Sequence, residues 1–523
     1  MVVTEALAIG PPDGSTHVLA RWLFLRLLGV VYLVAFVSLA VQITGLVGEH
    51  GILPAQPYLE RARALYGGAA YRLLPTLCWL GAGDGALRLL CWGGAVLAAL
   101  LVAGVAQLPV LALLWTLYLS VAVVGQTFLW FQWDALLLET GLLAVFYAPT
   151  QWLPSLERER APSTAMRWLV SALLAKLVLL SGITKLASGD PTWRGLTALE
   201  YHFWTQPLPP WTAWYAQRLP AWMHAGMTLG TCAIELGAPW LILAPPRLRK
   251  LRLAGCALIV LGQLGIAGTG NYGFFNLLAI VLCVPVLDDA VLRRVLPLRL
   301  AVGAPEPRWR RVTIGLFVPV VALLSALAFV AEIAETLPGA GARRRVENPL
   351  LRAAAPFRSI NGYGLFRVMT TERPELVIEG SPDGVRWTAY EFRWKPGAVT
   401  RTPRFVQPHQ PRLDWQMWFA ALNPEGAEHW LVPLMQRLLE GAPDVLALLA
   451  GNPFGDAPPR YVRLASYRYR FSTPDVRSRT GAWWQREFTG YLTRALSLPG
   501  TPPPPDSAAP RPPGSPPPPR RRP

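Results

Sequence analysis

Nine apolar runs, each of membrane-spanning length, follow one another between residues 22 and 335. A helix needs about 20 apolar residues to cross a bilayer core. Lipid tolerates only structures whose backbone polar groups pair internally. The runs lie near 22–47, 85–107, 108–128, 129–148, 166–187, 222–244, 251–269, 272–288 and 312–335. The chain is therefore expected to fold as a multi-pass α-helical membrane bundle of eight or nine spans, eight if 108–148 forms a broken helix pair. Composition agrees: 52% of the 523 residues are hydrophobic, 15% are charged, and the mean hydropathy is +0.31. A soluble domain carries about 25% charged residues.

The run Phe128–Tyr147, FLWFQWDALLLETGLLAVFY, holds two acids in its interior, Asp134 and Glu139. An ionised group in hydrocarbon costs several kcal/mol, so it faces the protein interior and takes a partner. The two acids are five positions apart, about 140° around a helix, and do not form a paired-carboxylate site. Lys176 and Lys185 lie in the fifth run and Glu235 in the sixth. Asp134, with Glu139 beside it, is expected to pair with Lys185 in a polar pocket. A buried lysine held neutral could act there as a base. The plainer alternative is an ion pair that fixes helix register. Glu235 faces the same choice.

Residues 1–20 form a polar leader without the basic and apolar regions of a signal peptide, so the first run is a retained span. Residues 21–335 make up the transmembrane domain. Between 346 and 495 apolar and polar residues alternate, and Ser381-Pro382-Asp383-Gly384 marks a turn between two strands. HWLVPLMQRLLEGAPDVLALLAG has helical periodicity. This region is expected to be an extramembrane α+β domain with a small antiparallel sheet. Residues 496–523, rich in Pro and Arg, form a disordered tail.

The net charge of +17 falls largely in loops and in the tail. No recognition motif accompanies it, so nucleic acid is not a partner and the bilayer is. Basic segments at 247–252 and 289–311 place those loops and the N-terminus in the cytoplasm, and everything after 336 outside it. Arg61, Arg63 and Arg72, and the Arg343–Arg345 cluster, sit less comfortably on the far side.

Several long segments resemble the lipase maturation factors. They are RWLFLRLLGVVYLVAFVSLAVQITGLVGEHGILPA (21–55), FLWFQWDALLLETG (128–141), LSGITKLASGDPTWRGLTALEYHFWTQPLP (180–209), GNYGFFNLL (270–278), NGYGLFRVMTTERPELVIEGSPDG (361–384) and PHQPRLDWQMWFAAL (408–422). The resemblance implies a multi-pass protein, of the endoplasmic reticulum membrane in animals, that helps newly made secreted lipases fold into active dimers through its luminal C-terminal region. Composition and the missing N-x-[ST] sequon point here to a bacterial inner membrane. LSGITKLASGDPTW is also similar to a segment of the vitamin K-dependent gamma-carboxylases. There the lysine at the place of Lys185 acts on vitamin K hydroquinone, and a functional histidine lies near the position of Asp134.

No catalytic set accompanies these motifs. Five cysteines include no C-x-x-C, and no nucleophile elbow, phosphate loop or dinucleotide fingerprint is present. His202 beside Glu200 is too little for a metal site, and His409 with Asp414 lacks a nucleophile. No cofactor is expected. The chain is expected to be a non-catalytic folding or assembly factor with a lipase or other exported client. Trp211, Trp214, Trp415 and Trp418 are candidates for client contact, since aromatic residues are enriched at interfaces. The alternative is a membrane enzyme that acts on a lipophilic or quinone-like substrate, with Lys185, Asp134 and Glu139 as its candidate catalytic residues.

Overall fold

The computed structural model describes residues 16–153, 159–296, 298, 306–337 and 348–504. Most of the leader, the Arg343–Arg345 cluster and the tail beyond 504 lie outside the described residues. The chain divides into two compact units that do not follow chain order. The first takes residues up to Ile43, Ala55–Thr371 and Arg404–Arg412; the second takes Thr44–Pro54, Glu372–Pro403 and Leu413 onward. Residues 348–371 and 404–412, expected from sequence within the extramembrane domain, thus pack with the helices.

The first unit is helical. Its principal helices are α1 (Val18–Ala40), α2 (Asp84–Ala103), α3 (Gln107–Val124), α4 (Gln132–Tyr147), α5 (Thr164–Ala187), α6 (Ala198–Thr205), α7 (Ala221–Ile242), α8 (Arg249–Thr269), α9 (Phe275–Val281) and α10 (Arg308–Thr336). Among the described residues, seven helices are long and apolar enough to cross a membrane: α1, α2, α3, α5, α7, α8 with its leading turn, and α10. The fourth and eighth runs fall short. α4 has 16 residues because a 3-10 turn, Gln126–Leu129, breaks the chain before it. The eighth run divides into α9 and a 3-10 turn at Val284–Val286.

Lipid tails are as apolar as leucine, so close packing rather than water exclusion holds such helices together. α1 packs most extensively on α2. A Cβ at Gly94 would stand 2.4 Å from the Phe36 ring, which shows how close the two helices approach. Phe36 meets Tyr118 of α3 edge-on at 5.3 Å, and Phe24, Leu28 and Tyr32 are fully buried beside them.

The second unit is α+β. Strands β1 (Pro374–Ser381), β2 (Thr388–Ala389), β3 (Tyr461–Phe471) and β4 (Trp484–Tyr491) form one antiparallel sheet in the order β2-β1-β3-β4. The expected turn is present: Asp383 Oδ1 accepts from Val385 N at 2.8 Å and Arg386 N at 2.9 Å, an Asx-turn that folds β1 back onto β2. Helices α11 (Arg412–Leu422) and α12 (Pro424–Glu440) follow, α11 starting at the boundary of the two units. α12 packs on β3 and buries Trp430, Leu431, Leu434, Met435 and Leu438, one face at helical spacing. Under the sheet, Glu375 accepts ion pairs from Arg373 at 2.7 Å and Lys395 at 2.8 Å, all three buried. The stretch 44–54 joins this unit, where Thr44 Oγ1 donates to Asp444 Oδ1 at 2.9 Å.

Candidate functional site

The intramembrane acids each have a partner, but not the expected one. Asp134 does not meet Lys185. It lies in the first turn of α4 and forms a two-pronged pair with Arg412, Nη1 to Oδ2 at 2.9 Å and Nη2 to Oδ1 at 2.8 Å. Tyr118 Oη donates to the same carboxylate at 2.5 Å, and Arg412 Nη1 also donates to Phe128 O at 2.8 Å. All three side chains are buried. A planar guanidinium that meets both carboxylate oxygens is the strongest ion-pair geometry available to these residue types. Spans alone hide this pair, because Arg412 lies 278 residues further along the chain and outside every apolar run.

Glu139, the second candidate, pairs with Lys176 of α5. Its other oxygen accepts from Tyr363 Oη at 2.6 Å and Asn361 Nδ2 at 3.3 Å. These residues come from NGYG, a stretch laid along the helices. The glycines permit the approach: a Cβ at Gly362 would fall 2.0 Å from Glu332 Oε2, and one at Gly364 would fall 2.9 Å from Thr184 Oγ1. The same stretch is tied further along by Trp193 Nε1 to Phe366 O at 2.9 Å and by Met369 N to Asp190 Oδ2 at 2.7 Å. Burial opposes ionisation of Asp190, but the hydrogen bonds from Thr192, Met369 and Trp193 outweigh it and hold its carboxyl below the ordinary value.

Lys185, the third candidate, lies near the end of α5 and is buried. Its ammonium donates to both oxygens of Glu235 on α7, at 2.8 and 2.9 Å, and to Ser181 O at 3.2 Å. The helices meet closely here, since a Cβ at Gly182 would stand 2.9 Å from that of Glu235. The indole of Trp193 lies 5.2 Å from the ammonium. Beside this pair a cavity of about 480 Å³ opens between α5, α6, α7 and α8. His202 of α6 lines it, with Nε2 3.1 Å from Tyr272 Oη. Burial, and then the charge of Lys185, push the His202 imidazole down to about 4.

Of the aromatic candidates for client contact, Trp211 is 43% exposed, whereas Trp214, Trp415 and Trp418 are buried. Trp214 meets Tyr215 edge-on at 5.1 Å and lies 4.8 Å from the Arg218 guanidinium. Trp418 packs edge-on against Phe419 at 5.0 Å. Asp414 accepts from the backbone of Trp394 and Lys395, both at 2.8 Å, and burial raises its carboxyl above the ordinary value. His409 Nδ1 is 2.9 Å from Ser38 Oγ. No group of three metal-ligating side chains occurs among the described residues.

The model for the lipase maturation factor transmembrane domain matches residues 19–294, more than half of the chain. The chain belongs to the lipase maturation factor family. A second model, the lipase maturation factor C-terminal domain, matches residues 359–493. Lipase maturation factor 2 of Homo sapiens is 38% identical, over 92% of this chain and 83% of the human protein. Lipase maturation factor 1 of Bos taurus is 35% identical, over 91% of this chain and 88% of the bovine one. No solved structure matches. The C-terminal model begins at Ser359, so it takes in NGYG and PHQPRLDW as well as the sheet. Those two stretches supply the partners of Glu139 and Asp134. Arg412, Tyr363 and Asn361 are the residues that charge spacing within the spans missed. The long matching motifs that contain them were the available signal.

Proposed function

We propose that this chain is a membrane-embedded maturation factor for an exported lipase, in which the second unit receives the client outside the cytoplasm. The observation that carries the reading is identity of 38% to lipase maturation factor 2 across 92% of the chain, with both family domains matched in order. The basic loops at 247–252 and 289–311 support a cytoplasmic N-terminus and an extracytoplasmic second unit. In a bacterium the membrane is the inner one.

Exposed edges accept partner strands by backbone pairing. Within the second unit β4 ends the sheet, and its residues 485–489 are exposed. Phe488, Tyr491 and Leu492 add 49%, 38% and 46% exposed apolar surface there. This edge, more than the buried Trp415 and Trp418, is where we place the client. Photo-crosslinkers installed at Phe488 or Tyr491 should capture a co-expressed secreted lipase during its synthesis. The same group at exposed Trp130 on the helical unit should not. Equal capture at both positions would remove β4 from the proposal.

A further inference from the structure

We propose that the cavity between α5, α6, α7 and α8 binds a neutral lipid that carries a free hydroxyl group. The proposal is independent of the client and follows from the walls, the mouth and the polar end of the cavity.

The walls are apolar, with Leu177, Val178, Ile234, Ile259 and Ile266 among them. The mouth lies on the two helices with much of their surface outward: Met227 of α7 is 37% exposed and Leu261 of α8 is 65% exposed. Both belong to spans, so the opening faces lipid. An apolar chamber with a few convergent polar groups is the usual form of a ligand site.

The polar end selects the head group. Lys185 has three N–H donors. Ser181 O and the two Glu235 oxygens accept all three. An anionic head would find no unused donor on Lys185 and would meet the Glu235 carboxylate. A cationic head would meet the ammonium. The pair is neutral as a whole and offers the remaining lone pairs of Glu235. His202 adds an acceptor. Gln206 Nε2 donates to Phe203 O at 3.2 Å and Thr269 O at 2.7 Å, which fixes its amide orientation. Its Oε1 must then accept the Tyr272 proton, at 2.9 Å. Tyr272 Oη can serve His202 only as an acceptor, so the imidazole carries its proton on Nε2 and leaves Nδ1 as a lone-pair site. An acceptor-rich, uncharged end suits a donating hydroxyl.

Two glycines allow a direct test. A Cβ at Gly230 meets open space, and one at Gly262 touches only Ile234 at 3.7 Å or beyond. Both line the cavity, so larger side chains can fill it without striking backbone. The full chain in lipid nanodiscs is exposed to a long-chain alcohol bearing a diazirine, or to the methyl ether of the same alcohol. The alcohol should label residues 227–234 and 259–266 saturably, in competition with unlabelled alcohol. The methyl ether, which has no O–H to donate, should label them about tenfold less, the loss of one well-placed hydrogen bond. Gly230→Trp and Gly262→Phe should each abolish this labelling and leave labelling of the lipid-facing side of α10 unchanged. If one variant fails to insert, the other decides. Equal labelling by alcohol and ether, labelling that does not saturate, or labelling that survives a filled cavity would each overturn the proposal.

Discussion

Asp134 and Arg412 form one of the fully buried ion pairs of the helical unit. Removal of one partner from such a pair leaves an uncompensated buried charge and costs about 3–5 kcal/mol, whereas joint replacement by apolar residues of similar volume is often neutral. Arg412→Met alone is expected to cost that much, and Asp134→Leu with Arg412→Met to recover most of it. Tyr118 loses its acceptor in the double variant, at about 1–3 kcal/mol for an unsatisfied buried hydroxyl; Tyr118→Phe added to the pair should relieve this. Thermal unfolding of the purified protein in detergent checks the series. A double variant no more stable than Arg412→Met would mean that packing at these positions matters more than charge. The sequence made Asp134 conspicuous, because acids in apolar runs are expensive. It could not name the partner, because Arg412 lies outside every span and reaches Asp134 only through the fold. Lys185 and Glu235 were both recognised as intramembrane charges. Their pairing with each other depends on the close approach of α5 and α7 at Gly182.

At the scale of elements, the spans were legible and their lengths were not. Hydropathy locates each apolar run, but the 3-10 turns at Gln126–Leu129 and Val284–Val286 shorten two of them below a full crossing. The second break falls at Pro285, a helix breaker inside the run, whereas the first is marked only by Gly125 just before it. The sheet was legible from the alternation around β1 and β3 and from the Ser-Pro-Asp-Gly turn. The ion cluster of Arg373, Glu375 and Lys395 beneath it was not, since its members look like ordinary strand and loop charges. The NGYG stretch was legible as a motif only; its two close glycine contacts explain why those residue types stand there. Asp190 ties this stretch to the loop after α5 through Met369 N and Thr192. Its carboxyl is held below the ordinary value, so its contribution is present above the unfolded carboxylate range near pH 4 and is lost as pH falls through the lower folded value. Protection of the Met369 and Thr192 amides, relative to their intrinsic exchange at the same pH, should therefore be high at neutral pH and fall only below about pH 4. Asp190→Asn should bring that loss of protection to neutral pH. Unchanged protection in the variant would show that the bonds from Ser188 Oγ to Arg367 O, at 2.7 Å, and from Trp193 Nε1 to Phe366 O suffice to anchor the stretch.

For the whole molecule, sequence alone conveyed a helical membrane protein with an α+β appendage, and family membership follows from similarity along nearly the whole chain. The division into units was not legible, because residues 44–54 and 404–412 each pack with the unit that their position in the chain would not assign. As a proposed maturation factor, the chain should raise the yield of active lipase. The direct measurement is the specific activity, per unit of secreted antigen, of a homodimeric secreted lipase expressed in cells that lack their own maturation factor, with and without this chain present. The full chain should raise activity per antigen several-fold, and Arg412→Met, which unsettles the fold, should not. Lipase of unchanged specific activity in the presence of well-inserted, full-length protein would contradict that role.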